Sequence, residues 1–148
     1  MKILASILIL LFAYSSVLSC SCINFNEAQR IENLKKTEVL FEGEVLSVSQ
    51  PYVVKLKNSK GVVYRKEYLV DVNFKVIRAW KGVDSPQITI QTYAKSDSCS
   101  IPYKVGMKPT VLANGKTPRT DYCTAAIIDF NKIPEILGEG KVFAGLTH

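Results

Sequence analysis

The sequence predicts a mainly β domain: a five-stranded, partly closed Greek-key barrel of the OB type, with one or two short flanking helices. Three observations carry this prediction. Val62 to Trp80 is one long run rich in β-branched and aromatic residues, and along it apolar and polar positions alternate. Turn signals at Asn58-Ser59-Lys60-Gly61, Asp84-Ser85-Pro86 and Asn114-Gly115-Lys116 separate the extended segments, so strands are joined by turns and not by crossover helices. No internal repeat, low-complexity tract or linker divides the chain. An open sandwich is the competing arrangement of the same strands.

Each element has its own signal. Asn24 or Asn26 offers an N-cap for a short amphipathic helix whose apolar positions are Phe25, Ala28, Ile31 and Leu34. From Val39 the period becomes two: Val39, Phe41, Gly43, Val45 and Ser47 take one side, Leu40, Glu42, Glu44, Leu46 and Val48 the other. Pro51 to Leu56 continues extended up to the 58–61 turn. In the long run that follows, Tyr68, Val70, Val72, Phe74 and Val76 share a face expected to be buried, and Lys81-Gly82 stops the strand. Gln87–Tyr93 and Lys108–Ala113 are further strands. The Asn114-Gly115 hairpin dipeptide implies a returning strand, Thr117–Cys123, with a ragged start at Pro118. Ala125–Leu137 holds a short helical segment interrupted at Pro134, and Gly138, Gly140 and Gly145 leave a loose tail.

Residues 1–19 are excluded from the domain. Lys2, the apolar run Ile3–Tyr14 and the small and polar residues Ser15–Ser19 form a secretory signal peptide, too short in its apolar part to span a bilayer. Residues 20–148 are then a single domain with no transmembrane segment, secreted or periplasmic. Of 19 basic residues Lys2 leaves with the signal, so 18 face 13 carboxylates, a net charge of +5. So modest an excess first of all keeps an exported domain soluble; beyond that it suits an anionic surface such as glycan, lipid headgroups or an acidic partner better than nucleic acid. The four cysteines, Cys20, Cys22, Cys99 and Cys123, imply two disulfides in an oxidising compartment. A Cys20–Cys22 bridge would close a strained ring across one residue. Each N-terminal cysteine therefore reaches far down the chain, one to Cys99 and one to Cys123, in either pairing. A first bridge closing so long a loop is worth roughly 4 to 5 kcal/mol in the loop-entropy model.

The residues point away from catalysis. The one histidine, His148, is terminal, so no Ser-His or Cys-His couple is available. Glu42/Glu44 and Glu27/Glu32 are the nearest carboxylate pairs, and the former sits on a solvated strand face. Gly138-Glu139-Gly140 lacks the strand and lysine of a phosphate-binding loop, and no other cofactor motif is present. Two features remain. Lys55, Lys57, Lys60, Arg65 and Lys66 surround the 58–61 turn and form a basic hairpin tip, which either protects edge strands or meets an acidic partner. Ser21, between two tethered cysteines, is held in place by them with its side chain outward.

Several segments together resemble a known family. Cys20-Ser21-Cys22, Thr37-Glu38-Val39-Leu40-Phe41-Glu42-Gly43-Glu44-Val45, Val72–Val76 with Ala79-Trp80-Lys81-Gly82, Cys99 with Gly106 and Thr110-Val111-Leu112-Ala113, and Thr120-Asp121-Tyr122-Cys123 occur in order. They resemble the tissue inhibitors of metalloproteinases and, more broadly, the netrin-like modules built on an OB barrel, over Cys20 to about Leu137. The chain lacks the third N-terminal bridge and second disulfide-rich domain of the animal inhibitors, and is similar to short, single-domain bacterial members. The resemblance implies the pairs Cys20–Cys99 and Cys22–Cys123. It also implies a mechanism: the α-amine and carbonyl oxygen of Cys20 chelate a metalloendopeptidase's zinc in trans, displacing its water. Ser21 then points toward the specificity pocket, Cys22 is the tether, and the hairpin from Lys55 to Arg65 is an accessory edge. With a reference pKa near 8, the α-amine has its lone pair available near neutral pH.

Two alternatives stand beside this expectation. One is a non-inhibitory binding module that uses the barrel face or basic hairpin to hold an anionic glycan, an envelope component or a protein. The other concerns Val17-Leu18-Ser19-Cys20, which partly resembles a bacterial lipobox, with Leu18 atypical. Lipid on the Cys20 sulfur would anchor the protein and forbid Cys20–Cys99.

Overall fold

The computed structural model describes residues 22, 24–94, 99–125 and 130–143. The chain is mainly β: among the described residues six strands, all antiparallel, form one open sheet accompanied by a few short helices. Helix α1 (Glu27–Lys36) starts at Asn26, not Asn24. Asn26 Oδ1 accepts from the Gln29 amide while Gln29 Oε1 accepts from the Asn26 amide, which satisfies two otherwise orphaned donors. Leu34 is its one buried residue, so contacts at its C-terminal end must hold it to the sheet.

The sheet is organised on β3 (Val63–Lys81), the long alternating run. Along one edge it pairs first with β2 (Tyr52–Lys57) and then with β1 (Val39–Val48). Along the other it pairs with β4 (Gln87–Tyr93) and β6 (Lys141–Val142). Strand β5 (Thr110–Ala113) lies outside β1. The main core gathers Val70, Val72, Phe74 and Val76 of β3 with Val39, Phe41, Val45, Ile90, Val111 and Ala113. Phe41, Phe74 and Tyr103 meet edge to face at 5.3 and 5.4 Å between centroids. Gly43 permits this: a Cβ there would stand 2.8 Å from the Phe41 ring and 2.9 Å from Lys75 O. A second cluster on the opposite face, Leu34, Leu40, Leu112 and Ile133, seats α1.

Four sequence expectations are corrected. Tyr68 is exposed, not the start of the buried face: on that side of β3 the core begins at Val70. Thr117–Cys123 is not a strand. Pro118 has no amide to donate, and the segment turns to run beside β4, with Gln91 N–H donating to Pro118 O and Thr120 N–H to Gln91 O. Arg119 alone bridges Gln91 and Asn114, and Tyr122–Ala125 is already a helical turn, α2. Pro134 does not interrupt a helix but lies in the first turn of α3 (Ile133–Leu137), where its missing amide costs nothing. The residues after Gly138 are not loose as far as Phe143. Trp80 Nε1–H donates to Gly138 O at 2.9 Å, β6 joins β3, and Phe143 N–H donates to Ile77 O. Gly140, at φ +73°, is required there, since a Cβ would meet Ala79 O and the Trp80 indole at 2.9 Å. Among the described residues the strands number six, not five.

Candidate functional site

The cysteine end of the molecule is built by the strap of residues 118–125. Asp121 Oδ1 accepts from Thr124 N–H and its carbonyl from Ala125 N–H, so the aspartate starts the turn that presents Cys123. Cys22 and Cys123 form a disulfide, with Cα atoms 5.2 Å apart across 101 residues of sequence. Cys99 is also disulfide-bonded. Tyr122 N–H donates to Cys99 O at 3.0 Å, which sets the Cys99 and Cys123 backbones side by side. Cys20 and Ser21 lie outside the described residues, and with them the Cys20–Cys99 pairing and any zinc-facing geometry.

The strap is anchored a second time through Arg119. Its guanidinium donates to Glu67 Oε2 at 2.7 Å, and Arg65 approaches the other carboxylate oxygen at 3.4 Å. Glu67 is only 6% exposed, so this carboxylate needs both partners. The contact joins the cysteine strap to the base of the β2–β3 hairpin, two regions that the sequence leaves unconnected. The signal for it was present: Glu67 is the single carboxylate in the basic stretch 55–68. Beside it, the Tyr52 hydroxyl donates to Asp71 Oδ1 at 2.7 Å and accepts from Gln91 Nε2. Burial, then Asp71, push the Tyr52 phenol up to about 12.

The five basic hairpin residues divide in two. Arg65 faces the Glu67 side. Lys55 stands directly across the ladder from Lys66, and Val53 from Tyr68; beyond Leu56 a register shift sets Lys57 opposite Val63 and leaves Tyr64 unpaired, and Lys60 lies in the turn. Lys55, Lys57, Lys60 and Lys66 have no ion-pair partner among the described residues.

The carboxylate pairs are engaged elsewhere. Glu27 bonds Lys132 and Glu32 bonds Lys36, and these lysines hold both carboxyls below the usual range. Glu44 faces Lys108 at 3.8 Å. A cleft of about 340 Å³ between α1 and α3, floored by Phe25, Ile31, Leu34 and Ile136, has the Glu27–Lys132 pair and Arg30 at its edge. Among the described residues no three His, Cys, Asp or Glu side chains group as a metal site, and no helix is long and apolar enough to cross a membrane.

No protein-family model matches the chain, and no curated protein matches it at a significant level. The motif Ala79-Trp80-Lys81-Gly82 has a structural explanation independent of any family. Trp80 holds the C-terminal segment, and Lys81 Nζ donates to Leu34 O at 3.1 Å, to Thr37 O at 3.3 Å and to Lys35 O, closing the carbonyl end of α1. Gly82 takes φ +62°, with Glu38 O where a Cβ would be, at 2.2 Å.

Proposed function

We propose that the chain is an exported, single-domain protein resembling the tissue inhibitors of metalloproteinases, on a netrin-like, partly closed OB barrel, and that it inhibits a zinc metalloendopeptidase. After removal of residues 1–19, the Cys20 α-amine and carbonyl oxygen chelate the protease zinc in trans, Ser21 enters the specificity pocket, and Cys22 holds the pair in place. The observation that carries this reading is the adjacency of Cys99 and Cys123, both disulfide-bonded, with Cys123 tied to Cys22. Two bridges ending on one patch would leave Cys20 and Ser21 little conformational freedom to lose on binding. The Arg119–Glu67 contact adds support, because it brings the base of the basic hairpin to the same strap, as an accessory edge requires.

Titration of the mature protein, starting at Cys20, against a panel of zinc endopeptidases tests the proposal. Stoichiometric inhibition of at least one, lost when a single alanine precedes Cys20, is the expected result. Inhibition that survives the added alanine, or none across the panel, overturns it.

A further inference from the structure

The β2–β3 hairpin continues past the sheet as a two-stranded ribbon whose tip is both basic and apolar. Its turn is rigid: Asn58 Oδ1 accepts from the Lys60 and Val62 amides, Asn58 N–H donates to Val62 O, and Gly61 supplies the positive φ of +77°. The residues it presents are unusual for a solvated tip. Val62 is 59% exposed, Val63 40%, Tyr64 66%, Tyr68 50% and Val53 45%. Lysines surround them without carboxylates, and Lys55 directly opposite Lys66 is a like-charge pair that works against the ladder. Guarding an edge against aggregation explains lysines, but not three consecutive exposed apolar and aromatic residues, Val62, Val63 and Tyr64, directly after the turn.

We propose that this ribbon docks on an anionic lipid surface. Val62, Val63 and Tyr64 enter the headgroup–acyl boundary, and Lys55, Lys57, Lys60 and Lys66 pair with lipid phosphates. The chemistry matches on both counts. Tyrosine settles at membrane interfaces with its ring inward and hydroxyl toward water, while long lysine side chains bury their stems and keep the ammonium at the phosphates. Each lysine near an anionic leaflet contributes about a fivefold gain in affinity. Phosphates between Lys55 and Lys66 relieve their repulsion. An anionic polysaccharide would also pair with the lysines and stack on the tyrosines, but would leave Val62 and Val63 without a role. Docking does not depend on zinc chelation.

Sedimentation with large unilamellar vesicles tests the proposal, using equimolar phosphatidylglycerol and phosphatidylcholine against phosphatidylcholine alone. The protein carries the extra alanine before Cys20, so the outcome is separate from inhibition. Binding to the anionic vesicles only is expected, falling on the order of 100-fold in K55S/K57S/K66S. V62S/V63S, at unchanged charge, should bind about tenfold more weakly. A tryptophan replacing Tyr64 should shift its emission to the blue on vesicles. Circular dichroism melts verify that each variant is folded. Anionic-vesicle binding that V62S/V63S leaves unaltered, with heparin retention equally unaltered, would assign the lysines to a soluble polyanion and overturn the proposal, as would the absence of vesicle binding.

Discussion

The two ends of β3 are built on opposite terms. At Ala79–Gly82 each residue is fixed by the body: Ala79 in the core, the Trp80 indole on Gly138 O, the Lys81 ammonium on three carbonyls, and the Gly82 backbone close against Glu38 O. At Val63–Tyr68 the same strand leaves the body, and among its side chains only Arg65 and Glu67 have charged partners. Lysine occurs at both ends and means different things. Lys81 closes the carbonyl end of a helix, whereas Lys55 and Lys66 face each other in solvent. Charge in the sequence therefore marks function only where no backbone group claims it.

Substitutions should separate the two ends, the largest effect first. Gly82→Ala forces a Cβ into Glu38 O at a positive φ and is expected to cost about 3 kcal/mol in urea unfolding. Arg119→Met leaves Glu67 buried with Arg65 alone and should cost about 2 kcal/mol by the same measurement. Lys81→Met opens the end of α1 and should cost about 1 kcal/mol. Lys66→Glu, on the ribbon, has the opposite sign: it places a carboxylate across from Lys55 and should stabilise by roughly 0.5 kcal/mol. A loss of stability in Lys66→Glu as large as that in Lys81→Met would erase the distinction.

A further effect is alkaline. The Tyr52 phenol is raised from 10 to about 12 in the folded chain, by burial first and Asp71 second. The neutral phenol is thus favoured by folding, a contribution complete below pH 10 and lost as pH rises through about 12. Over that window the native protein should lose stability more steeply than Tyr52→Phe, followed by thermal melts at each pH.

The parts of this fold that were legible in the sequence are those set by local chemistry. An asparagine cap at Asn24 or Asn26, the Asn58–Gly61 turn, and the alternation through Val76 each act within a few residues, so each is written where it acts. Tyr68 failed because alternation fixes only the side a residue takes, whereas burial needs a neighbour packed on that side, and the core there begins at Val70. The 117–123 strap failed because the Asn-Gly turn predicts a return, while Pro118 and the Gln91 backbone divert it. The glycines after Leu137 suggested looseness, yet Gly140 is needed for close approach to Trp80. Of the candidate site, the Cys22–Cys123 pairing followed from the family resemblance and is present. Of the Glu67–Arg119 tie only one half was legible: Glu67 stands out as the single carboxylate of 55–68, but nothing local names a partner 52 positions away.

The most direct test of the central claim looks at the metal itself. A zinc endopeptidase that the mature protein inhibits is loaded with cobalt, and its visible absorption is followed as the protein is added. Replacement of bound water by the Cys20 amine and carbonyl predicts a change in the cobalt bands that saturates at one equivalent and is absent with an alanine before Cys20. Inhibition with unchanged cobalt bands would place the contact elsewhere and contradict zinc chelation by Cys20.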